Sequence, residues 1–239
     1  FEQVRCAGEA LRHWRESGAL ATLVPTLAAV ADETLAALDL LPRAIGRRAA
    51  GRRIVSYATL FAEVPERELA AALAALRFSK SEARAVRHLV ALWQGTGVAM
   101  ERALVEGTAD GAVLRRWVAR AGRTDAASLL RVAAARWAAR REAGREAPAS
   151  SAVHALYRRA LRVAYGGQPL ALGDLAIGGD ELRALGVPPG PAMARLLHRL
   201  LDRVLEDPAL NRVDALLALA PRLAAEDAPR GDPDPMGGA

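Results

Sequence analysis

Apolar residues recur every three or four positions along almost the whole chain, which is the spacing of one face of an α-helix. The clearest example is residues 191–206, where Met193, Leu196, Leu200 and Val204 fall on one face and arginines fall on the other. No stretch has the strict alternation of apolar and polar residues that is typical of a half-buried strand. The sequence therefore predicts an all-α fold built from many helices.

Proline, glycine and capping residues divide this pattern into separate helices. Ser79 is expected to begin a helix, because Glu82 completes a capping box with it, and Gly95 and Gly97 are expected to end that helix. A brief helix with a polar start at Asp174 or Asp180 is also predicted. The other helices are predicted at residues 1–18, 25–41, 54–64, 65–76, 100–106, 111–121, 125–145, 152–165, 191–206 and 213–224.

Composition divides the chain into parts. The segment Gly144–Ser151, rich in small residues and containing one proline, is the best candidate for a linker, and residues 226–239 have the polar, Pro- and Gly-rich composition of a disordered tail. The helical pattern is already under way at Phe1, which favours a further segment upstream. We therefore expect an N-terminal part (1–45), a helical body (46–145), a helical tail (150–225) and a disordered C-terminus.

Charge and residue usage narrow the function. The chain of 239 residues has a formal net charge of +6 and a pI near 10.5, and Lys80 is its only lysine. A basic protein is drawn to phosphate-rich partners. Cys6 is the only cysteine, so no internal disulfide or Cys-based metal site can form, which fits a cytoplasmic protein. We expect no membrane segment, because no run of about 18 apolar residues occurs.

Signals for catalysis are missing from the sequence. The four histidines do not have metal-ligand spacing, and there is neither a Gly-rich phosphate loop nor a nucleophile elbow. We therefore assign no catalytic or metal-binding residue. The four tryptophans occupy apolar helical positions, which favours core packing over base stacking.

Arginines cluster in places that have few carboxylates. Such clusters suggest a surface that follows a nucleic-acid backbone; the alternative is a set of solvated helix faces. The candidate RNA contacts are Arg158, Arg159 and Arg162, on a helix without any acid, together with Arg115 and Arg116, which lie in a cluster with Arg120 and Arg123. A further run, which is acid-free from Leu40 to Ala62, holds Arg43, Arg47, Arg48, Arg52 and Arg53.

The connection Gly186–Pro191 contains three prolines and two helix-flanking glycines. Pro191 suits the first position of a helix, and Gly190 lets another backbone approach the free amides there, which attract anions. The turn is reminiscent of a helix-hairpin-helix, so Gly190, Arg195 and Arg199 are added as candidate nucleic-acid contacts. The alternative is a tight structural turn between two packed helices.

One longer phrase resembles a known family. PLALGDLAIGGDELRALGVPPGPAMARLLHRLLDRVLEDPALN (Pro169–Asn211) closely resembles the tail of bacterial class II tRNA nucleotidyltransferases, the CCA-adding enzymes, and of their poly(A) polymerase relatives. ALRHWRESGALATLVPTLA (Ala10–Ala28) and LRFSKSEARAVRHLV (Leu76–Val90) resemble the segments that precede this tail in the same family. The resemblance thus covers most of the chain, in order.

The resemblance implies an elongated all-α neck, body and tail that bind tRNA or another structured RNA. In the family, a separate head bears paired carboxylates, which bind Mg²⁺ and transfer nucleotides from CTP and ATP. The head's Gly-Ser loop and carboxylates are not found in this sequence, so the chain alone is expected to be inactive and to work with a catalytic head. The His-Asp pair of some relatives is replaced by Leu60-Phe61-Ala62-Glu63, so the HD-like region is degenerate.

Three alternatives stay open. One is an RNA-binding region of the poly(A) polymerase type. Another is a stand-alone nucleic-acid-binding module that clamps DNA with the Gly190 turn and has no enzymatic activity. The third is a helical scaffold whose arginine faces are merely solvated.

Overall fold

The computed structural model describes residues 6–41 and 51–226, and within them every regular element is a helix. The all-α prediction is therefore confirmed. Two compact units are separated after Gly167. The first unit contains α1 (Ala7–Glu16), α2 (Ala19–Leu23), α3 (Asp32–Asp39), α4 (Arg52–Leu60), α5 (Glu66–Ala75), α6 (Lys80–Val105), α7 (Gly111–Ala121), α8 (Ala126–Glu142) and α9 (Ser150–Tyr165). The second contains α10 (Gly179–Ala184), α11 (Pro191–Glu206) and α12 (Val213–Glu226).

Helix α8 is the centre of the first unit. It packs against α3, α4, α6, α7 and α9, and most of its residues are buried, including the fully enclosed Trp137. A helix that is enclosed on nearly all sides has no polar face to offer to water. Small residues dominate α8, and they let five neighbours approach it closely.

Helices α1 and α3 approach each other closely at Gly8. A Cβ atom on Gly8 would lie 1.9 Å from the carbonyl oxygen of Leu35, so only glycine fits. The Gly8 amide donates a hydrogen bond of 2.8 Å to the carboxylate of Asp39. Gly8 thus serves both to bring the backbones together and to join them by a polar contact.

The prediction that Gly95 and Gly97 end a helix is wrong. Helix α6 runs without a break from Lys80 to Val105, and it absorbs the helix predicted separately at residues 100–106. Both glycines make room for a neighbouring side chain: a Cβ on Gly97 would lie 2.6 Å from the Trp93 ring, and one on Gly95 would lie 2.9 Å from the guanidinium of Arg120. Tertiary packing outweighs the helix penalty of about 1 kcal/mol per glycine.

Most other helix ends lie close to the predicted ones. The capping box of Ser79 and Glu82 is confirmed, with both reciprocal hydrogen bonds present. Pro65 precedes α5 rather than beginning it, and the segment predicted as one helix from Pro25 is a 3-10 turn, Pro25–Leu27, followed by α3. Helix α2 was not predicted. The tail predicted to be disordered begins at Glu226, which is instead the last residue of α12, and residues 227–239 lie outside the described residues.

The predicted linker at residues 144–151 connects α8 to α9 inside the first unit. Helix α9 packs against α7 and α8, whereas the division between the units follows the Gly166-Gly167 pair that ends α9. The second unit has its own apolar core, to which the predicted face of α11 contributes Met193, Leu196, Leu200 and Val204. Among the described helices none has both the length and the apolar character needed to cross a membrane.

We predict that Gly8→Ala destabilises the first unit by about 2–3 kcal/mol, because the added methyl group overlaps the α3 backbone. Chemical denaturation followed by circular dichroism measures the loss. Gly51→Ala is the matched control, since a Cβ there meets nothing within 4 Å, and its effect should stay within about 1 kcal/mol. Equal stability of the two variants would contradict the close α1–α3 contact.

Candidate nucleic-acid interface

Helix α9 has one buried face and one fully exposed face. Val153, Leu156, Ala160 and Val163 are buried on the inner face, which packs against α7 and α8. Four exposed residues, spaced three or four apart, form the outer stripe: His154, Arg158, Arg162 and Tyr165. Residues at this spacing lie next to one another on a helix surface, and the stripe extends over about 16 Å at 1.5 Å per residue.

The positive charge of α9 is not balanced by acidic side chains. The helix contains no Asp or Glu, and Arg158, Arg159 and Arg162 are all exposed. Within residues 6–41 and 51–226 none of the three forms an ion pair within 4.0 Å. Arg159 lies beside the stripe, on the side of the helix opposite Tyr157, and so widens the positively charged surface. The structure thus brings three of the predicted contacts together on one surface.

This arrangement costs stability. Arg158 and Arg162 are like charges at positions i and i+4, a spacing that destabilises a helix by a few tenths of a kcal/mol. No exposed acid on the helix relieves the repulsion. The same concentration of positive charge favours binding to a polyanion.

The C-terminal end of the stripe holds an aromatic residue that the sequence analysis missed. Tyr165 is 49 % exposed at the last position of α9. Beside it, Arg123 donates a hydrogen bond of 2.8 Å to the carbonyl oxygen of Ala164 and so anchors this end of the helix to the α7–α8 connection. The spacing of seven residues from Arg158 to Tyr165 is the signal that could have identified this tyrosine, and the spacing of four from His154 to Arg158 could have identified the histidine.

The α7 arginines are held more closely than those of α9. Arg115 is half-buried, and its guanidinium lies over the first turn of α7, 3.1 Å from where a Cβ on Gly111 would be. Arg116 is exposed but also has an interaction partner within the fold. Arg120 covers Gly95 of α6. The arginines of this predicted cluster therefore contact other parts of the fold, and they are less available to a ligand than those of α9.

The acid-free run at residues 40–62 is not acid-free in space. Arg53 forms an ion pair of 3.1 Å with Glu82 of α6, and its guanidinium stacks 4.7 Å from the centre of the Phe78 ring. Arg43, Arg47 and Arg48 lie outside the described residues. The number of arginines in this run is therefore larger than the number that lack an acidic partner in the fold, because Arg53 is paired with Glu82.

Buried arginines on α8 form a network inside the first unit. Arg136 stacks 5.3 Å from the Trp93 ring and pairs with Glu63; burial lowers the pKa of its guanidinium, and the Glu63 carboxylate opposes that effect. Arg140 pairs with Glu101, which also accepts a hydrogen bond of 3.0 Å from the Trp137 indole. Both guanidinium groups are thus paired with carboxylates inside the first unit, while their buried Nε atoms make no hydrogen bond within the described residues.

Tyr157 joins the inner network to α9. Burial lowers the pKa of Arg131 on α8, and the nearby Tyr157 opposes that lowering. Burial also raises the pKa of Tyr157, an effect to which Tyr165 adds. Of the two tyrosines on α9, Tyr157 is half-buried towards α8 and Tyr165 is exposed.

In the second unit, the Gly190 turn has the predicted form. Gly190 has a φ of 138° and precedes Pro191, the first residue of α11, and no side chain caps the helix. Arg195 is exposed one turn further on and lines an open groove of about 560 Å³ together with Leu185, Val187 and Pro221. Gly190 and Arg195 are thus on the surface of the same unit.

Arg199, by contrast, is engaged in contacts within the second unit. It is partly buried, donates a hydrogen bond to the carbonyl oxygen of Leu223 at 2.5 Å and pairs with Glu226. These contacts tie α11 to α12. Of the three tail residues predicted to contact nucleic acid, Gly190 and Arg195 are exposed and Arg199 is engaged internally.

Two polar residues of the family-like phrase have structural roles. The Asp174 carboxylate accepts hydrogen bonds from the amides of Leu170 and Ala171, at 2.8 and 3.0 Å. Asn211 bridges residues 174 and 176, because its side chain donates to the Asp174 carbonyl and accepts from the Ala176 amide. These hydrogen bonds fix the loop that precedes α10 and join it to the segment that precedes α12.

The chain matches no protein-family model, and no curated protein or solved structure is significantly similar to it. The resemblance of Pro169–Asn211 to the nucleotidyltransferase tail therefore stays a prediction. In the described part of the chain, no group of three or more His, Cys, Asp or Glu side chains is placed to hold a metal ion.

We predict that Arg158→Glu raises the stability of the first unit by about 0.5–1 kcal/mol at low salt, because it replaces a repulsive i,i+4 pair by an attractive one. Chemical denaturation measures the change. The control is Arg87→Glu, which removes an existing ion pair with Glu66 and should lower stability. Destabilisation by both substitutions would mean that Arg158 is held by favourable contacts.

Proposed function

We propose that the chain is an RNA-binding protein whose principal contact surface is the outer stripe of α9 with Arg159. The observation that carries the proposal is a helix of 16 residues that exposes three arginines and contains no acid. Elsewhere in the first unit, exposed arginines such as Arg87 and Arg145 are paired with Glu66 and Glu33. Helix α9 differs from those positions, because within residues 6–41 and 51–226 its three exposed arginines have no ion-pair partner.

The arrangement favours recognition of backbone and shape over recognition of base edges. Arginine binds phosphate oxygens in a forked geometry, and a straight row of cations on one helix can follow successive phosphates. Folded RNA, which proteins recognise largely by shape and by its phosphates and 2′-hydroxyls, fits this surface.

We further propose tRNA as the RNA and the cytoplasm as the location, on the strength of the family resemblance. Under this hypothesis the chain supplies the neck, body and tail of a CCA-adding enzyme or of a poly(A) polymerase relative. Nucleotide addition from CTP or ATP with Mg²⁺ would belong to a head region whose motifs these residues do not contain. The residues named here would hold the RNA while that head extends its 3′ end.

We predict that Arg158→Gln/Arg159→Gln/Arg162→Gln weakens tRNA binding roughly 10- to 100-fold, because three phosphate contacts are lost. Fluorescence anisotropy with labelled tRNA over a range of KCl concentrations gives both the affinity and its salt dependence. The slope of log K against log[KCl] should become shallower by about 2–3, one for each arginine removed.

The matched control is Arg67→Gln/Arg87→Gln/Arg102→Gln, which removes the same charge from exposed positions on α5 and α6. This variant should change the affinity less than about threefold, because only long-range attraction is reduced. Similar losses in both variants would indicate that net charge alone drives binding. Unchanged affinity and slope in the α9 variant would reject the proposed surface.

A second candidate function is suggested by the uncapped start of α11. The exposed Gly190 turn and the nearby Arg195 are the parts that a helix-hairpin-helix clamp for duplex DNA would need. Against it stands the internal use of Arg199, which leaves one cation near the turn. We therefore place this candidate behind RNA binding by α9.

Competition separates the two candidates. We predict that unlabelled tRNA displaces labelled tRNA at a concentration at least about tenfold below that of duplex DNA of similar length, since α9 dominates binding. Arg195→Gln should have a small effect, similar to that of the control Arg183→Gln, whose arginine is paired with Asp180. Stronger competition by DNA, with a selective loss in Arg195→Gln, would favour the hairpin clamp.

A further inference from the structure

The outer stripe of α9 does not consist of cations alone, and its aromatic end has no role in backbone binding. Tyr165 follows Arg162 by three residues and Arg158 by seven, so all three side chains share one face. Tyr165 is among the few large hydrophobic side chains of the described chain that are about half exposed. An aromatic ring beside arginines offers a flat surface to a nucleobase whose phosphate the arginines hold.

Tyr165 is followed by two glycines, Gly166 and Gly167. A Cβ on Gly166 would lie 2.4 Å from the carbonyl oxygen of Arg162, so the chain can leave the helix here only with glycine. At Gly167, with a φ of 74°, a Cβ would meet nothing within 4 Å. Neither residue has a side chain to cover the ring of Tyr165.

The backbone that bears Tyr165 is fixed. Arg123 holds the carbonyl oxygen of Ala164 at 2.8 Å, and Val163 and Ala164 are buried beside it. An aromatic residue on a fixed helix end loses little freedom when a base stacks on it. Tyr165 therefore combines exposure, an anchored backbone and adjacent phosphate-binding groups.

We propose that this end of the stripe binds an unpaired nucleotide, with its base stacked on Tyr165 and its phosphates held by Arg162 and Arg158. The inference rests on the proposed RNA-binding function and specifies the class of RNA. The ligand is a structured RNA with an unpaired loop or bulge adjoining a helix, and a continuous duplex lacks the base that stacks. Tyr165 is then a specificity-determining residue, while the arginines supply most of the affinity.

Two RNA probes and the full 239-residue chain test this inference. One probe is a hairpin with an unpaired loop, and the other is a blunt duplex with the same number of phosphates. Tyr165→Ala should weaken binding to the hairpin roughly 5- to 150-fold, the range expected for one lost stacking contact, and should change binding to the duplex less than twofold. Tyr165→Phe keeps the ring and should bind both probes as the unaltered protein does.

A fluorescent 2-aminopurine placed in the loop reports stacking directly. Its emission should be quenched on binding to the unaltered protein and to Tyr165→Phe, and should recover with Tyr165→Ala. Trp14→Ala is the positional control, because Trp14 is also about half exposed in the same unit and should affect neither probe. Equal affinity of the unaltered chain for the two probes, or equal losses on both in Tyr165→Ala, would overturn the inference.

The outcomes also separate this inference from the function on which it rests. If the α9 arginine variant loses binding to both probes and Tyr165→Ala behaves like the unaltered protein, stacking is rejected while RNA binding by α9 stands. If the arginine variant binds both probes normally, the proposed surface itself is rejected. Thermal melting followed by circular dichroism confirms that each variant is folded, which is expected because Tyr165 is a surface residue.

Discussion

The enclosure of α8 by five other helices is the constraint on which the first unit depends. A helix buried on nearly all sides must neutralise any charge it contains, because an unpaired buried charge is strongly destabilising. Arg136 and Arg140 meet this requirement through Glu63 and Glu101, which come from two different parts of the chain. The Trp93 ring adds a cation–π contact to Arg136. The core is therefore held together by polar pairs as well as by apolar packing.

That internal pairing explains why the surface of α9 is distinctive. Carboxylates of the first unit pair with arginines on α1, α4, α6 and α8, such as Arg15, Arg53 and Arg136, and within the described residues none pairs with an arginine of α9. Helix α9 receives its stability from its apolar inner face against α7 and α8, so its outer face can hold unrelieved positive charge. Stability and proposed function thus occupy opposite sides of the same helix.

The sequence predicted the fold class and most helices, because apolar spacing and capping signals are local. It predicted the Ser79 capping box and the apolar face of α11 for that reason. The sequence-based prediction was wrong at Gly95 and Gly97, where the missing side chain makes room for Arg120 of α7 and for Trp93 of the preceding turn. Such close approaches depend on which helices meet, and spacing along one chain does not contain that information.

The candidate site shows the same division between local and non-local information. Exposure of Arg158, Arg159 and Arg162 followed from the pattern of α9 itself, since the acid-free helix is visible in the sequence. The roles of Arg53 and Arg199 did not, because Glu82 and Glu226 are distant in sequence and reach them only in the folded chain. An arginine cluster in a sequence is therefore a set of candidates, and the fold decides which of them remain free of internal partners. On α9 the fold leaves all three on the surface and places the exposed Tyr165 on the same face, so that this helix carries the groups that the proposed RNA binding requires.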